Sequence, residues 1–316
     1  MVGPVPEPGP GQAVVRVCWL SFDPAQRGWM NDIPSYIPPV QIGDPMRAWG
    51  VGEVVATNDD SLAVGQLVSG QLNWQEYAVA DAAALSAVPP GVPPTAALGV
   101  FGTTGLTAYF GLLDVGRPEA GDVVLVSGAA GATGSVVGQI AKLKGCTTIG
   151  IAGGPEKCAW LTSEAGYDHA IDYKNENVAK RIKEIAPKGV DIYFDNVGGE
   201  ILDAALANIA QAGTIVMCGG ISTGYTIDER PPGVHNLSMI TVRSARMEGF
   251  IVLNYMARFG EAVKELATWV QEGKISWAED VQQGGIEQAP ATLRRLFEGK
   301  NFGKQLLQLA EPSGPG

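Results

Sequence analysis

A short run of glycines between two apolar segments constrains the fold of this chain more than any other feature. Residues 123–139 read VVLVSGAAGATGSVVGQ, in which an apolar β-type run is followed by Gly128, Gly131 and Gly134. The residues that come next are apolar at helical spacing, and a second β-type run, TTIGIA, occupies residues 147–152. A strand, a glycine turn, a helix and a second strand in this order predict a Rossmann-type unit that binds a dinucleotide.

The glycines suit such a turn for physical reasons. They permit a tight bend, let the backbone approach a pyrophosphate, and allow the helix to pack closely on the strand, while the helix N-terminus offers unpaired N–H groups. No Gly-Lys-Ser/Thr follows, so the turn is not a P-loop. The alternative is a glycine-rich turn in a fold that binds no ligand. We predict that the whole turn contacts the cofactor: Gly128, Ala129, Ala130, Gly131, Ala132, Thr133 and Gly134.

The predicted pattern of strands and helices changes along the chain, which indicates two domains. Strand and helix patterns alternate from residue 123 onward, as in right-handed βαβ units with a parallel sheet. We assign residues 98–275 to this Rossmann domain. Residues 1–97 hold short β-type runs separated by proline and glycine, and a strand–helix–strand pattern in residues 276–316 completes that domain. The predicted fold class is α/β, a Rossmann doubly wound parallel sheet plus a β-barrel domain.

Charge and cysteine content exclude several kinds of partner. A net charge of −11 argues against nucleic acid and against an anionic membrane surface. No apolar run reaches the roughly 18 residues of a membrane span and no signal-like start is present, so we expect a soluble, cytoplasmic protein. With only two histidines and no CxxC pair, we expect no metal site, and reduced thiols at the four scattered cysteines Cys18, Cys146, Cys158 and Cys218.

The residues after the second strand indicate which dinucleotide is bound. In NAD-binding units an Asp or Glu about 20 residues after the glycines binds the ribose 2′-hydroxyl, but here the strand ends in Gly153 and Gly154. The glycines leave room for a 2′-phosphate. Lys157 supplies positive charge at a position that the helix dipole disfavours, and Tyr173 ends the next strand at the same edge. These features predict NADP; the alternatives are a solvated lysine and an ordinary strand tyrosine.

Longer segments make a family recognisable. They are RGWMNDIPSYIPPVQIGDPMRAWGVGEV, LGVFGTTGLTAYFGLLDVG, GAAGATGSVVGQIAKLKGC, DIYFDNVGG, GGIS, RMEGFIV and GKNFGKQ, and they span essentially the whole chain. The chain resembles the zinc-independent medium-chain dehydrogenase/reductase proteins, in the branch of NADPH-dependent prostaglandin reductases and alkenal double-bond reductases. The resemblance implies a GroES-like β domain built from both chain ends, a Rossmann domain, an NADPH cofactor and a homodimer.

The resemblance also implies roles for individual residues. A lysine at the position of Lys157 and a tyrosine at that of Tyr173 hold the 2′-phosphate in this family. Further cofactor contacts are implied for Asn196, Cys218, Gly219, Ile221, Ser222, Phe250, Ile251 and Asn301.

Two departures from the family pattern stand out. Relatives usually carry a further segment that forms an opening hairpin, so either the start is trimmed or the β domain is open there. Relatives also often read Ile-Ser-x-Tyr where this chain has ISTGY, with Tyr225 one residue later, which leaves the role of that tyrosine open.

The chemistry predicted for the site follows from the missing zinc ligands. Without a metal to polarise a carbonyl, the easier hydride acceptor is the β-carbon of an unsaturated ketone or aldehyde. The resulting enolate oxygen needs a hydrogen-bond donor, and the α-carbon needs a proton. We predict that Tyr225, in the loop after a parallel strand, is this donor and contacts substrate, and that Tyr36 of IPSYIPPV lines the substrate site. The alternative is that either residue is only an amphipathic loop aromatic.

The predicted activity is NADPH-dependent reduction of the carbon–carbon double bond of a small hydrophobic enone or alkenal. Two enzymatic alternatives are an NADPH quinone reductase and an NADP-linked alcohol dehydrogenase. A third alternative, from another class, is a non-catalytic NADPH-binding protein.

Overall fold

The computed structural model describes residues 3–89, 91–227 and 233–314. The chain divides into two compact units, Met1–Gly102 with Glu279–Gly316 and Thr103–Ala278. The sequence places domain boundaries after residues 97 and 275, so both divisions in the structure lie a few residues further along the chain.

The first unit is built on one long buried strand. Its strands before residue 100 are β1 (Gln12–Ser21), β2 (Trp49–Thr57), β3 (Leu67–Gln71), β4 (Tyr77–Asp81) and β5 (Ser86–Ala87). Strand β1 pairs antiparallel with both β2 and β4, and β3 lies between β2 and β5. Eight of the ten residues of β1 are buried, so both faces of this strand are covered. Short helical segments follow the strands: α1 (Ala25–Gly28) and 3₁₀ turns at Ala82–Ala84 and Pro94–Leu98.

The second unit contains a parallel sheet with an informative strand order. Its strands are β6 (Val123–Ser127), β7 (Thr147–Ala152), β8 (His169–Asp172), β9 (Val190–Asp195), β10 (Ile209–Met217) and β11 (Arg246–Gly249). They lie in the order β8-β7-β6-β9-β10-β11, and all neighbours are parallel. Counted from β6, this is the 3-2-1-4-5-6 order of a Rossmann sheet, which confirms the predicted fold class for this unit. The order reverses between β6 and β9, where such sheets bind ligands.

Helices connect the parallel strands, as βαβ units require. Those between consecutive strands are α3 (Ala132–Leu143), α4 (Pro155–Ser163), α5 (Val178–Ile185), α6 (Gly199–Ala207) and α7 (Ser238–Val242). Helix α2 (Thr103–Phe110) precedes β6 and helix α8 (Phe259–Gln271) follows β11, and there are a π-helical segment at Gly111–Gly116 and 3₁₀ turns at Ile221–Thr223 and Val252–Arg258.

The long helix that the sequence predicts near residues 255–274 is shorter in the structure. Helix α8 begins only at Phe259, and the residues before it form a 3₁₀ segment. The ring of Tyr255 in that segment stacks on Phe110, with ring centroids 4.6 Å apart. This aromatic contact holds the segment against α2, which accounts for the late start of the α-helix.

The end of the chain adds strands to the sheet of the first unit. Strand β12 (Glu279–Gln283), a 3₁₀ turn at Ile286–Gln288, helix α9 (Ala289–Phe297) and strand β13 (Lys304–Gln308) follow one another. Strand β13 pairs antiparallel with β1 and parallel with β12. The resulting seven-stranded sheet has the order β12-β13-β1-β2-β3-β5, with β4 also paired to β1.

A buried lysine fastens this returning strand. The Lys304 side chain is almost fully buried, and its Nζ donates to Asp23 Oδ1 at 2.5 Å and to the carbonyl of Phe22 at 3.3 Å. Ser21 Oγ donates to the other carboxylate oxygen of Asp23 at 2.8 Å. An ammonium group taken out of water needs such partners, because an unpaired buried charge is strongly destabilising.

We expect Lys304→Met to lower the free energy of unfolding by about 3 kcal/mol, because it leaves the Asp23 carboxylate without its cation in a mostly buried position. Urea denaturation measures this loss. Lys300→Met is the matched control, since the Lys300 side chain forms an exposed ion pair with Glu298 and such pairs contribute little to stability. Equal small losses for the two variants would show that the buried pair is not what holds β13.

Candidate functional site

In the glycine turn between β6 and α3, the backbone at Gly134 packs directly against the backbone of Gly128 and Ala129. Gly128 has a φ of +58°, which residues with a side chain rarely adopt. A Cβ on Gly134 would lie 2.4 Å from the carbonyl oxygen of Gly128 and 2.8 Å from Ala129 Cα, so only glycine fits there. Ala129 N donates to the carbonyl of Ile151 at 3.0 Å, and Gly131 N donates to that of Gly128 at 2.9 Å. The turn is therefore closed and tied to β7.

Helix α3 presents its N-terminus at this turn. Its first residues, Ala132, Thr133 and Gly134, have N–H groups with no acceptor inside the helix, because no helical turn precedes them. Gly131 and the buried Ala130 add no large side chain in front of these donors. Unpaired N–H groups and the positive end of a helix dipole fit a pyrophosphate. The seven residues predicted for this role thus lie together in one turn.

A buried tyrosine, Tyr167, which the sequence did not predict to have a role here, packs against the glycine turn. Tyr167 OH donates to the carbonyl of Gly134 at 2.6 Å. A Cβ on Gly138 would lie 2.0 Å from Tyr167 Cζ, so the ring occupies the space that this second glycine leaves. Burial raises the pKa of Tyr167 well above its usual value, so its hydroxyl remains a donor. A glycine one helical turn after Gly134 is the sequence signal that could have indicated this close packing.

Asp195 ends β9 and organises the point where the strand order reverses. Its side chain is fully buried, and Oδ1 accepts from Tyr193 OH at 2.7 Å and from Ser127 Oγ at 3.0 Å. The same oxygen accepts the backbone N–H groups of Val197 and Gly198 at 3.0 and 2.8 Å. The two backbone bonds hold the turn between β9 and α6, and the two side-chain bonds tie the carboxylate to β6 and β9.

Asn196 lies beside the glycine turn. Its Nδ2 donates to the carbonyl of Ser127 at 2.8 Å, and its backbone N donates to Ser127 Oγ at 2.9 Å. A Cβ on Gly128 would be 3.5 Å from Asn196 Cβ. The structure thus brings this predicted cofactor residue next to the phosphate-binding turn.

The loop after β10 runs along the turn after β9. The N–H groups of Cys218 and Gly219 donate to the carbonyl of Asp195 at 3.0 and 2.9 Å, and Ser222 N donates to that of Val197 at 3.0 Å. Ile221 N donates to the carbonyl of Asn196 at 3.3 Å. Burial and the nearby carboxylate of Asp195 raise the pKa of the Cys218 thiol to about 12, so this cysteine stays protonated at neutral pH. The four predicted loop residues are therefore held against the backbone of residues 195–197.

Tyr225 turns back over the same loop. Its φ is +50°, in the left-handed region, and its OH accepts from Gly220 N at 3.0 Å. A Cβ on Gly219 would lie 3.1 Å from the Tyr225 OH and 3.2 Å from the carbonyl oxygen of Asn196. The phenol oxygen is thus close to the residues at the carboxyl end of the sheet.

Phe250 and Ile251 follow β11 at the same end of the sheet. The Phe250 ring packs inward: its centroid lies 6.5 Å from that of Phe194, and a Cβ on Gly111 would be 2.5 Å from Phe250 Cζ. The Phe250 ring is thus packed against Phe194 and Gly111, and the predicted cofactor roles of Phe250 and Ile251 stay predictions.

The edge formed by β7 and β8 has no carboxylate at the end of β7. Gly153 follows β7 directly, and a Cβ there would lie 2.8 Å from Tyr173 Cε1. Tyr173 follows β8 with its side chain partly exposed, and its N donates to the carbonyl of Ala152 at 3.1 Å. Lys157 lies in the first turn of α4, which begins two residues after Gly153. The three residues predicted for the 2′-phosphate thus belong to two adjacent segments.

Tyr36 and Asn301 belong to the other unit. Tyr36 OH accepts from Trp29 Nε1 at 2.8 Å, and the Arg47 guanidinium lies 5.5 Å from the Trp29 ring centroid. Burial raises the pKa of Tyr36. Asn301 Nδ2 donates to the carbonyl of Gly303 at 3.1 Å. Both side chains have defined partners within their own unit, and their predicted roles toward substrate and cofactor stay predictions.

The described residues give two further results on metals and membranes. Within residues 3–89, 91–227 and 233–314, no group of three or more His, Cys, Asp or Glu side chains is arranged to hold a metal ion. Cys18, Cys146, Cys158 and Cys218 are all free thiols. None of the helices in the described ranges is both long enough and apolar enough to cross a membrane.

A Rossmann sheet with a glycine turn at its switch point is typical of dinucleotide-binding proteins, and comparison with known proteins identifies the family. Residues 2–88 match the family model described as the N-terminal domain of oxidoreductase, and residues 132–268 match the zinc-binding dehydrogenase model. The chain is 40% identical to the NADPH-dependent curcumin reductase of Escherichia coli, over 97% of this chain and 90% of that protein.

Two further relatives agree with this assignment. The 2-alkenal reductase (NADP(+)-dependent) of Nicotiana tabacum is 39% identical, over 97% of this chain and 89% of that protein. The crystal structure of CurA from Vibrio vulnificus in complex with NADPH superposes with a TM-score of 0.92 at 39% identity, covering 99% of this chain and 94% of that chain. The chain belongs to the zinc-independent medium-chain dehydrogenase/reductase family, in its branch of alkenal and enone reductases, which pairs a Rossmann with a GroES-like domain.

Proposed function

We propose that this protein is an NADPH-dependent reductase that adds hydride to the carbon–carbon double bond of α,β-unsaturated ketones or aldehydes. The observation that carries the proposal is the edge at Gly153, Lys157 and Tyr173, where a lysine in α4 and a tyrosine packed over Gly153 stand in place of the carboxylate of an NAD-binding unit. The names of two relatives, a curcumin reductase and a 2-alkenal reductase, support the substrate class.

The residues present fit the cofactor. The donors of the turn Gly128–Gly134 would hold the pyrophosphate, and Gly153, Lys157 and Tyr173 the 2′-phosphate. NADPH, when bound, supplies a hydride. Other cofactor contacts that we propose are Asn196, Cys218, Gly219, Ile221, Ser222, Phe250, Ile251 and Asn301.

Tyr225 is the residue that we propose to act on the substrate. Negative charge develops on the carbonyl oxygen when the β-carbon is reduced, and a phenol hydroxyl placed there stabilises that charge. The N–H of Gly220 donates to the Tyr225 oxygen, which makes the phenol proton a better donor toward a substrate oxygen. Tyr36 is proposed to line the substrate site through its ring.

The proposal includes two properties of the whole protein, a homodimeric state and a cytoplasmic location. Similarity to the family supports the dimer, and the four free thiols support a reducing compartment. Light scattering coupled to size-exclusion chromatography gives the oligomeric state directly, and cell fractionation gives the location.

The activity is tested with a panel of alkenals and enones, by following NADPH consumption and identifying the product. A saturated carbonyl compound supports the proposal. A hydroquinone from quinones or an alcohol from the carbonyl group would instead identify one of the two other reductase activities. Tight NADPH binding with no turnover of any substrate would indicate a non-catalytic binding protein.

We expect Lys157→Ala to weaken NADPH binding by about 1.5–3 kcal/mol, or roughly 10- to 150-fold, because a charge-assisted contact to phosphate is lost. NADH binding should change little, since it lacks the phosphate. Calorimetric titration of both cofactors measures the two effects. Lys180→Ala, on the exposed face of α5, is the control and should affect neither. Equal losses for NADPH and NADH with Lys157→Ala would refute the assignment.

We expect Tyr225→Phe to lower kcat by about 10²-fold, the loss measured when one oxyanion donor is removed. NADPH affinity should stay nearly constant, because the hydroxyl acts on substrate. Tyr36→Phe is the comparison variant and should leave kcat unchanged, since the proposed contact is made by the ring. Steady-state kinetics with one enone measures kcat for both variants. An unchanged kcat in Tyr225→Phe would exclude the donor role.

A further inference from the structure

An acidic residue is present at the end of β8, the strand next to β7, and it points into the protein. Asp172 is only 8% exposed. Its Oδ1 accepts the backbone N–H groups of Gly154 at 2.8 Å and Lys174 at 3.1 Å, and its Oδ2 accepts Asn175 Nδ2 at 2.7 Å. Burial acts to raise the pKa of this carboxyl, but these bonds and the Lys174 charge outweigh it and lower the pKa below its usual value.

One carboxylate therefore joins the two segments that form the edge. Gly154 lies in the turn between β7 and α4, and Lys174 lies just after β8. Because a single oxygen accepts from both backbones, Asp172 ties the two segments together beyond the last paired residues of β7 and β8. The charge of the carboxylate is met by donors on both oxygens, which reduces its repulsion toward a nearby phosphate.

The side chain of Lys174 lies over Gly153. A Cβ on Gly153 would be 2.9 Å from Lys174 Cε and 2.8 and 3.0 Å from Tyr173 Cε1 and Cζ. The Lys174 Nζ is one bond beyond Cε, so the ammonium group lies within a few ångströms of Gly153, beside the Tyr173 ring. The residue is exposed, so the ammonium is accessible to a ligand. Gly153 thus has a tyrosine and a second lysine on its β8 side, with Lys157 further along the chain in α4.

We propose that Lys174 is a second cation that selects the adenosine 2′-phosphate, and that Asp172 is the positioning residue that holds Lys174 and Gly154 around the phosphate. This inference about Lys174 and Asp172 rests on the proposed function only in naming NADPH as the cofactor. A phosphate dianion placed over Gly153 then meets Lys157 from α4, and Lys174 and the Tyr173 hydroxyl from the end of β8. A nucleotide with a free 2′-hydroxyl gains nothing from the second lysine.

The test uses two small nucleotides that differ only in the phosphate in question, adenosine 2′,5′-bisphosphate and adenosine 5′-monophosphate, titrated calorimetrically into the full chain. We expect Lys174→Ala to weaken bisphosphate binding about tenfold, as a lost ion pair to phosphate does, and to change monophosphate binding less than about twofold. Lys174→Arg should retain most of the bisphosphate affinity, since it keeps the charge. Lys180→Ala should behave as the unchanged chain.

Asp172→Asn tests the positioning role, because the amide keeps the shape but presents an N–H₂ group to one of the donors. We expect a loss of roughly threefold to tenfold for the bisphosphate only. In the Lys174→Ala background the same change should have a smaller effect, since the part that acts through Lys174 is then lost and only the part that acts through Gly154 is left. If Asp172→Asn does not fold, as judged by circular dichroism, Asp172→Ser replaces it, because a serine hydroxyl can accept one of the two backbone N–H groups.

The outcomes separate this inference from the proposed function. Lys174→Ala with unchanged bisphosphate affinity would overturn the role of Lys174 while leaving the reductase proposal intact. Equal losses for both nucleotides with Asp172→Asn, or a gain in bisphosphate affinity, would overturn the positioning role. An unchanged chain that binds both nucleotides equally would instead contradict NADP selectivity itself, whatever the variants do.

Discussion

The backbone contact between helix α3 and the glycine turn is the constraint on which the nucleotide-binding unit depends. A helix can direct its N–H groups at a phosphate beside a strand only if no side chain separates the two backbones, and Gly134 meets that condition at the carbonyl of Gly128. Tyr167 then fixes the helix from the opposite side, because its hydroxyl binds the Gly134 carbonyl and its ring fills the space beside Gly138. In this acidic protein, the geometry of the proposed phosphate site thus depends on Gly134 and Gly138, which have no side chain, and on the buried hydroxyl of Tyr167.

A carboxylate near such a site repels a phosphate unless hydrogen-bond donors offset its charge. Two carboxylates here accept hydrogen bonds from donors of this kind. Asp195 at the switch point and Asp172 at the sheet edge both end parallel strands, and both are buried. Each accepts hydrogen bonds from backbone N–H groups of the turns that carry the proposed ligand contacts. The acids act as local scaffolding, and the outward-facing charge at the β7–β8 edge includes the lysines.

The sequence alone was sufficient for the features that depend on local spacing. The strand–turn–helix pattern, the parallel sheet and the acid-free end of β7 are set by residues close together in the chain, so periodicity and glycine positions predict them. The sequence did not predict the supporting role of Tyr167, the buried position of Asp172 or the late start of α8 at Phe259. Each depends on a contact between segments far apart in sequence or on the direction of a side chain. Periodicity contains no information about which way Asp172 turns.

Tyr225 comes one residue later than in the family pattern, and its backbone conformation decides where its hydroxyl lies. The extra residue before this tyrosine would displace its hydroxyl if the loop continued in an extended conformation. Instead Gly224 and Tyr225 adopt φ values of +66° and +50°, so the chain reverses and returns the phenol to Gly219 and Gly220. A left-handed tyrosine is strained, and such strain persists only where surrounding contacts hold it, often at functional sites. The turn therefore places the hydroxyl beside Gly219 and Gly220, at the carboxyl end of β10.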